Sequence, residues 1–141
     1  MMFGGRCAYC GIELTGKWHA DHVEPLERVT APVPLPGGHG YETTKAGFTK
    51  FKATGKVGNP ENNRKDNLFP ACVKCNILKS NSKVEAFRSM LRYFARSIPT
   101  IKTYSHVHHL MRFNRLAIDP TPVVFWFETY RAQEKGSEPK S

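Results

Sequence analysis

The run Asn67-Leu68-Phe69-Pro70-Ala71-Cys72-Val73-Lys74-Cys75-Asn76 joins a pair of cysteines at metal-binding spacing to an asparagine at either end. A Cys-x-x-Cys turn aims two thiolates at one ion, and a matching pair stands upstream at Cys7 and Cys10. All 4 cysteines of the chain are then used. Together they would close a tetrahedral shell of the kind that holds a structural Zn²⁺. In a reducing compartment such pairs are metal ligands rather than disulfides. The clasp draws the start of the chain against its middle, and the residues just inside it, Asp21-His22 and Asn76, are polar or ionisable.

Those three residues suit hydrolytic chemistry. A carboxylate is a hard anionic ligand for a divalent cation. An imidazole, with an unperturbed pKa of ~6.5, is mostly neutral at neutral pH and can take a proton from water. Neighbours on one regular strand point to opposite faces, so a turn or bulge is expected to bring Asp21 and His22 to one site. Asn76 adds a neutral amide oxygen. Asp plus Asn is a sparse oxygen set that leaves positions for water and phosphate oxygens, which favours Mg²⁺ or Mn²⁺ over a second zinc. His19 is kept outside this set.

Asp21-His22-Val23-Glu24-Pro25-Leu26, then Asn67-Leu68, then Cys72-x-x-Cys75-Asn76-x-x-Lys79-Ser80 resembles the HNH endonuclease family. The resemblance implies an α+β fold, a small ββα-metal, treble-clef-like core clasped by a four-cysteine zinc. It also implies roles: His22 activates water, Asp21 and Asn76 hold the catalytic cation, and Asn67 ties the loop between the strands so as to orient the base. Asn76 stands where the name-giving pattern has His. The implied activity is metal-dependent hydrolysis of DNA phosphodiester bonds, leaving a 5′ phosphate. One centre cuts one strand per visit, so a double-strand break calls for a homodimer or two events. Small free-standing proteins of this kind resemble phage and mobile-element HNH enzymes as well as restriction components. Met1 to Arg6 shows no basic stretch followed by an apolar run, so the expected location is the cytoplasm, of the host cell if phage-encoded.

The elements that must position these residues read as follows. Cys7 to Gly11 forms the first knuckle, Lys17 to Leu26 a short extended stretch, and Val73 to about Lys79 a short helix. Residues 28–63, rich in Pro, Gly, Thr and Lys, form a long basic insertion loop, with Phe48-Thr49-Lys50-Phe51-Lys52 a candidate short hairpin inside it. Residues 82–116 form a helical extension. Ser82-Lys83-Val84-Glu85 reads as a capping box, with Ser82 at the N-cap. Val84, Phe87, Leu91, Phe94 and Ile98 make one stripe of that helix, Arg88, Arg92 and Arg96 another, and Pro99 ends it. A third helix runs from Ile101 to about Phe113. Its His106, His108 and His109 have no carboxylate or cysteine at ligand spacing and read as surface or packing residues. Val123-Val124-Phe125-Trp126-Phe127 reads as a short buried terminal strand. A single domain therefore spans residues 1–132, followed by a disordered tail, 133–141.

Lys and Arg outnumber Asp and Glu by 21 to 12, a formal net charge of +9. A balance this basic points to a polyanion, DNA above all, and no apolar run reaches membrane-spanning length. The excess falls in two regions, Arg28 to Lys65 and Ile77 to Arg115. Lys50, Lys52, Lys79, Arg88 and Arg92 are the expected nucleic-acid contacts. Two other readings use the same residues: a zinc-stabilised DNA-binding module without catalysis, and a nuclease acting on RNA.

Overall fold

Two small antiparallel sheets share no strand. In the computed structural model, which describes residues 2–136, β1 (Trp18–His22) pairs with β4 (Leu68–Cys72), and β2 (Arg28–Pro32) pairs with β3 (Phe51–Val57). Four α-helices among the described residues complete a mixed α+β domain: α1 (Val73–Lys79), α2 (Val84–Ser97), α3 (Ser105–Arg112) and α4 (Trp126–Gly136). The chain passes from β4 into α1 without a loop, because Cys72 ends the strand and caps the helix, its sulfur accepting from the Cys75 amide.

The β1–β4 ladder is regular from Trp18↔Cys72 to His22↔Leu68. Alternation therefore puts His19 and Asp21 on one face, and Trp18, Ala20 and His22 on the other. Trp18 is exposed while Asp21 is buried. The first knuckle docks on this ribbon through the Ala8 amide, which donates to the Pro70 carbonyl at 2.8 Å. Gly11 closes the knuckle at φ +74°, and an added Cβ there would stand 3.3 Å from the Trp126 ring. Only glycine meets both demands.

The core is aromatic and small. One cluster gathers Cys7, Tyr9, Ala71, Phe87 and Phe125, and another gathers Phe3, Ala8 and Phe69, with Phe127 packing against both. Tyr9 meets Phe87 and Phe125 edge-on, each with centroids 5.5 Å apart, a favoured geometry for ring quadrupoles. Of the expected α2 stripe, Phe87 alone is fully buried, and Phe94 is 39% exposed.

Several expectations from sequence need correction. Val123 to Phe127 is not a strand. Val123 and Val124 are exposed, Phe125 is buried, and Trp126 opens α4. The amides of Trp126 and Phe127 donate to the carbonyls of Tyr9 and Ala8, so the knuckle's backbone receives the start of the helix. A short apolar run does not by itself distinguish these outcomes, and the deciding partner lies at the opposite end of the chain. The 133–141 tail is corrected in part: α4 continues through Gly136, and 137–141 lie outside the described residues. The 28–63 segment is not a structureless loop, since β2 and β3 form a ribbon extended by bridges at Pro34↔Tyr41 and Thr43↔Thr49. The capping box is absent. Lys83 is the N-cap of α2 and no side chain caps it. The third helix is a 3-10 turn, Lys102–Tyr104, followed by α3.

Two truncations separate the strand from the observed arrangement. Phe125→Ala should cost about 3–5 kcal/mol in denaturant unfolding. Val124→Ala should stay within about 0.5 kcal/mol, whereas a buried strand would make both costly.

Candidate active site and metal centre

The four cysteine sulfurs lie within 4.8 Å of one another. Tetrahedral Zn²⁺ with Zn–S bonds of about 2.3 Å requires sulfurs about 3.8 Å apart, and Cys10 and Cys72 stand 3.8 Å apart. The cluster fits a structural zinc. A hydrogen bond from Cys75 pulls the Cys7 thiol down to about 4, while that same bond, then burial, pushes Cys75 up. Burial raises Cys10. The crowded thiols are thus unevenly disposed to ionise, with Cys7 the readiest thiolate donor for a metal.

Beside the clasp lies a cavity of about 850 Å³ whose lining includes His19, Asp21, His22, Arg28, Asn76 and Ser80. Asp21, His22 and Asn76 thus border one space although Asp21 and His22 alternate along an unbulged strand. The expected turn or bulge is absent; the cavity wraps the edge of the ribbon instead. The Asn76 side chain makes no hydrogen bond among the described residues, and its amide is open to a ligand.

Asp21 is more committed than its sequence setting suggests. Its Oδ2 accepts from the Tyr9 hydroxyl and stands 3.0 Å from Lys79 Nζ, and all three residues are buried. Burial, then the bond to Asp21, drives the Tyr9 phenol far above its usual range, so it remains a neutral donor. Oδ1 makes no hydrogen bond among the described residues. No buried side-chain oxygen there lacks a partner, so Oδ1 opens to the cavity. One carboxylate oxygen is structural and the other is available.

His22 is held from two sides. Its carbonyl accepts from Lys79 Nζ at 2.8 Å, and its Nε2 lies 3.2 Å from Asn63 Oδ1. An Nε2–H donated to that oxygen leaves Nδ1 with its lone pair. Asn67, 3% exposed, accepts from the Glu24 amide at Oδ1 and donates from Nδ2 to the Glu24 and Asn62 carbonyls, all at 2.8 Å. Its amide group is fully satisfied and stitches the turn after β1 to the approach to β4. Tyr9 and Asn63 were not singled out in the sequence; Tyr9's place inside the Cys7–Cys10 knuckle was the available signal for it.

The expected nucleic-acid contacts divide. Lys79 is corrected: fully buried and paired with Asp21, it cannot meet a phosphate. Arg88 is corrected as well. Its guanidinium binds Glu128 at 2.7 Å and Glu85 at 3.1 Å, lies over the Phe125 ring, and reaches the Val123 carbonyl. Arg92 and Lys52 are exposed and make no ion pair among the described residues, while Lys50 pairs with Glu42 at 3.0 Å. His108 bonds the Ile98 carbonyl, and His106 and His109 are exposed.

No helix among the described residues is long and apolar enough to cross a membrane. No family model, curated protein or solved structure matches the chain.

Lys79→Met should destabilise the fold by about 3–5 kcal/mol, because it leaves a buried carboxylate without its counter-charge. Adding Asp21→Leu should recover much of that loss in the same unfolding measurement. Elemental analysis should find a single bound zinc per chain, and Cys75→Ser should lose both the metal and cooperative unfolding.

Proposed function

We propose that the protein is a metal-dependent endonuclease of the HNH kind that hydrolyses DNA phosphodiester bonds. The observation that carries this reading is the convergence of Asp21, His22 and Asn76 on one open cavity beside the cysteine cluster. Two antiparallel strands running straight into a helix, with the cysteine pairs at the knuckle and the strand end, agree with that family's core.

His22, through Nδ1, accepts a proton from water as the water oxygen bonds to phosphorus and the bond from phosphorus to the 3′ oxygen breaks. The Asn63 contact to Nε2 and the Lys79 contact to the His22 carbonyl hold the imidazole against the cavity. Asn67 fixes the turn that follows. Asp21 Oδ1 and the Asn76 amide would hold Mg²⁺ or Mn²⁺, which when bound neutralises charge on the phosphoryl oxygens and leaving group. The four-cysteine zinc is structural in this reading, and the substrate partner is DNA.

One observation favours a second reading. A zinc-stabilised DNA-binding module would still need Asp21, because Asp21 neutralises the buried Lys79. The carboxylate alone therefore does not argue for catalysis.

Supercoiled plasmid incubated with Mg²⁺ or Mn²⁺ should be nicked or linearised by the wild-type chain. His22→Ala should lower the rate by at least about 10²-fold while binding the plasmid unchanged. Plasmid bound but never cut, with either ion, would favour the non-catalytic module.

A further inference from the structure

The β2–β3 ribbon has no evident work inside the protein. Every residue of β3 is exposed, and Tyr41, Phe48 and Phe51 present 55%, 74% and 61% of their surface to solvent. A two-stranded ribbon without a packed face is marginal in water, so a partner is expected to supply the missing burial. It is also basic. Arg28, Lys45, Lys50, Lys52 and Lys56 lie along it against Glu42 alone. Lys50 is paired with Glu42, while the side chains of Arg28, Lys45, Lys52 and Lys56 have no ion pair or hydrogen bond among the described residues.

The ribbon's root is fixed to the candidate site. The Glu27 amide donates to Asn59 Oδ1 at 2.7 Å, the Gly58 amide to the Glu27 carbonyl at 2.8 Å, and Asn59 Nδ2 to the Pro25 carbonyl at 2.9 Å. Arg28, the first residue of β2, lines the cavity with Asp21, His22 and Asn76, and no other lysine or arginine among the described residues does so. With Lys79 and Arg88 tied up internally, Arg28 is the cation left to meet a phosphate there.

We infer that the β2–β3 ribbon is the substrate-docking element, that it enters the major groove of a B-form duplex, and that Arg28 at its root binds a backbone phosphate beside the cavity. The major groove is ~12 Å wide and admits a two-stranded ribbon. The major groove of an RNA duplex is too narrow and deep to do so. The inference rests on the nucleic-acid reading above, yet its test needs no cleavage.

The test is fluorescence anisotropy of the zinc-loaded full chain, without added Mg²⁺ or Mn²⁺, on a labelled DNA duplex and an RNA duplex of the same sequence across a salt series. Replacing Lys45, Lys52 and Lys56 together by Ala should weaken DNA binding at least ~10-fold and flatten the slope of log K against log salt by about 2–3, at ~0.9 per lost phosphate contact. Arg28→Ala should flatten it by about 1. Glu42→Gln, which frees Lys50, should tighten binding and steepen the slope. These lysines are exposed, so melting temperatures should not move. Unchanged affinity and slope in all three variants would overturn the inference, as would equal losses on the RNA duplex. A chain that binds through the ribbon yet never cuts DNA would keep the docking surface and remove the nuclease.

Discussion

Four sulfurs within 4.8 Å of one another could hold a metal ion, and such a clasp would tie together a chain whose buried apolar core is small. The buried apolar residues are few and mostly aromatic, gathered round the first knuckle. A metal bound by Cys7, Cys10, Cys72 and Cys75 would close a long loop and offset much of the chain entropy of the excursion between. The same juxtaposition accompanies the arrangement near the cavity, with Tyr9 bonded to Asp21, β4 paired with β1, and the knuckle carbonyls receiving the first amides of α4.

Beneath the cavity, the buried Asp21–Lys79 pair settles a local conflict. A carboxylate this buried needs a counter-charge, and Lys79 supplies it from the protein side. Tyr9 shares the same oxygen. The arrangement splits the carboxylate's duties, with Oδ2 inward and Oδ1 toward the cavity. In the proposed mechanism the pair is nearly neutral overall, so a bound cation would meet a modest field, in keeping with an ion exchanged with solvent rather than one locked in place. The lysine also fastens the His22 carbonyl, so the candidate base and the candidate ligand share one anchor.

What is legible in the sequence is local. The paired cysteines, the β1 stretch and α1 depend on residues close in the chain, and each is readable from spacing. The helix of 84–97 is readable too, although its capping box does not form. The failures share a cause. Lys79 and Arg88 look like solvent-facing cations in the sequence because Asp21, which pairs with Lys79, and Glu128 and Phe125, which cover Arg88 beyond its neighbour Glu85, lie far off along the chain. Val123 to Phe127 looks like a strand because its partners are carbonyls of the opposite end of the chain. The 28–63 ribbon lacks an apolar alternation, since β3 buries neither face, and that same absence of burial marks the ribbon as the proposed docking surface.

In the proposed mechanism a divalent cation binds at Asp21 and Asn76, apart from the cysteine cluster. The most direct measurement is paramagnetic broadening by Mn²⁺ in the NMR spectrum of the zinc-loaded protein, with Asn76→Ala, which leaves the buried Asp21–Lys79 pair intact, as the control. Signals of Asp21, His22 and the turn after β1 should broaden first, while those of the ribbon tip, around Phe48, persist, and Asn76→Ala should abolish the selectivity. Uniform broadening over the surface, or none at the cavity, would contradict a cation site there.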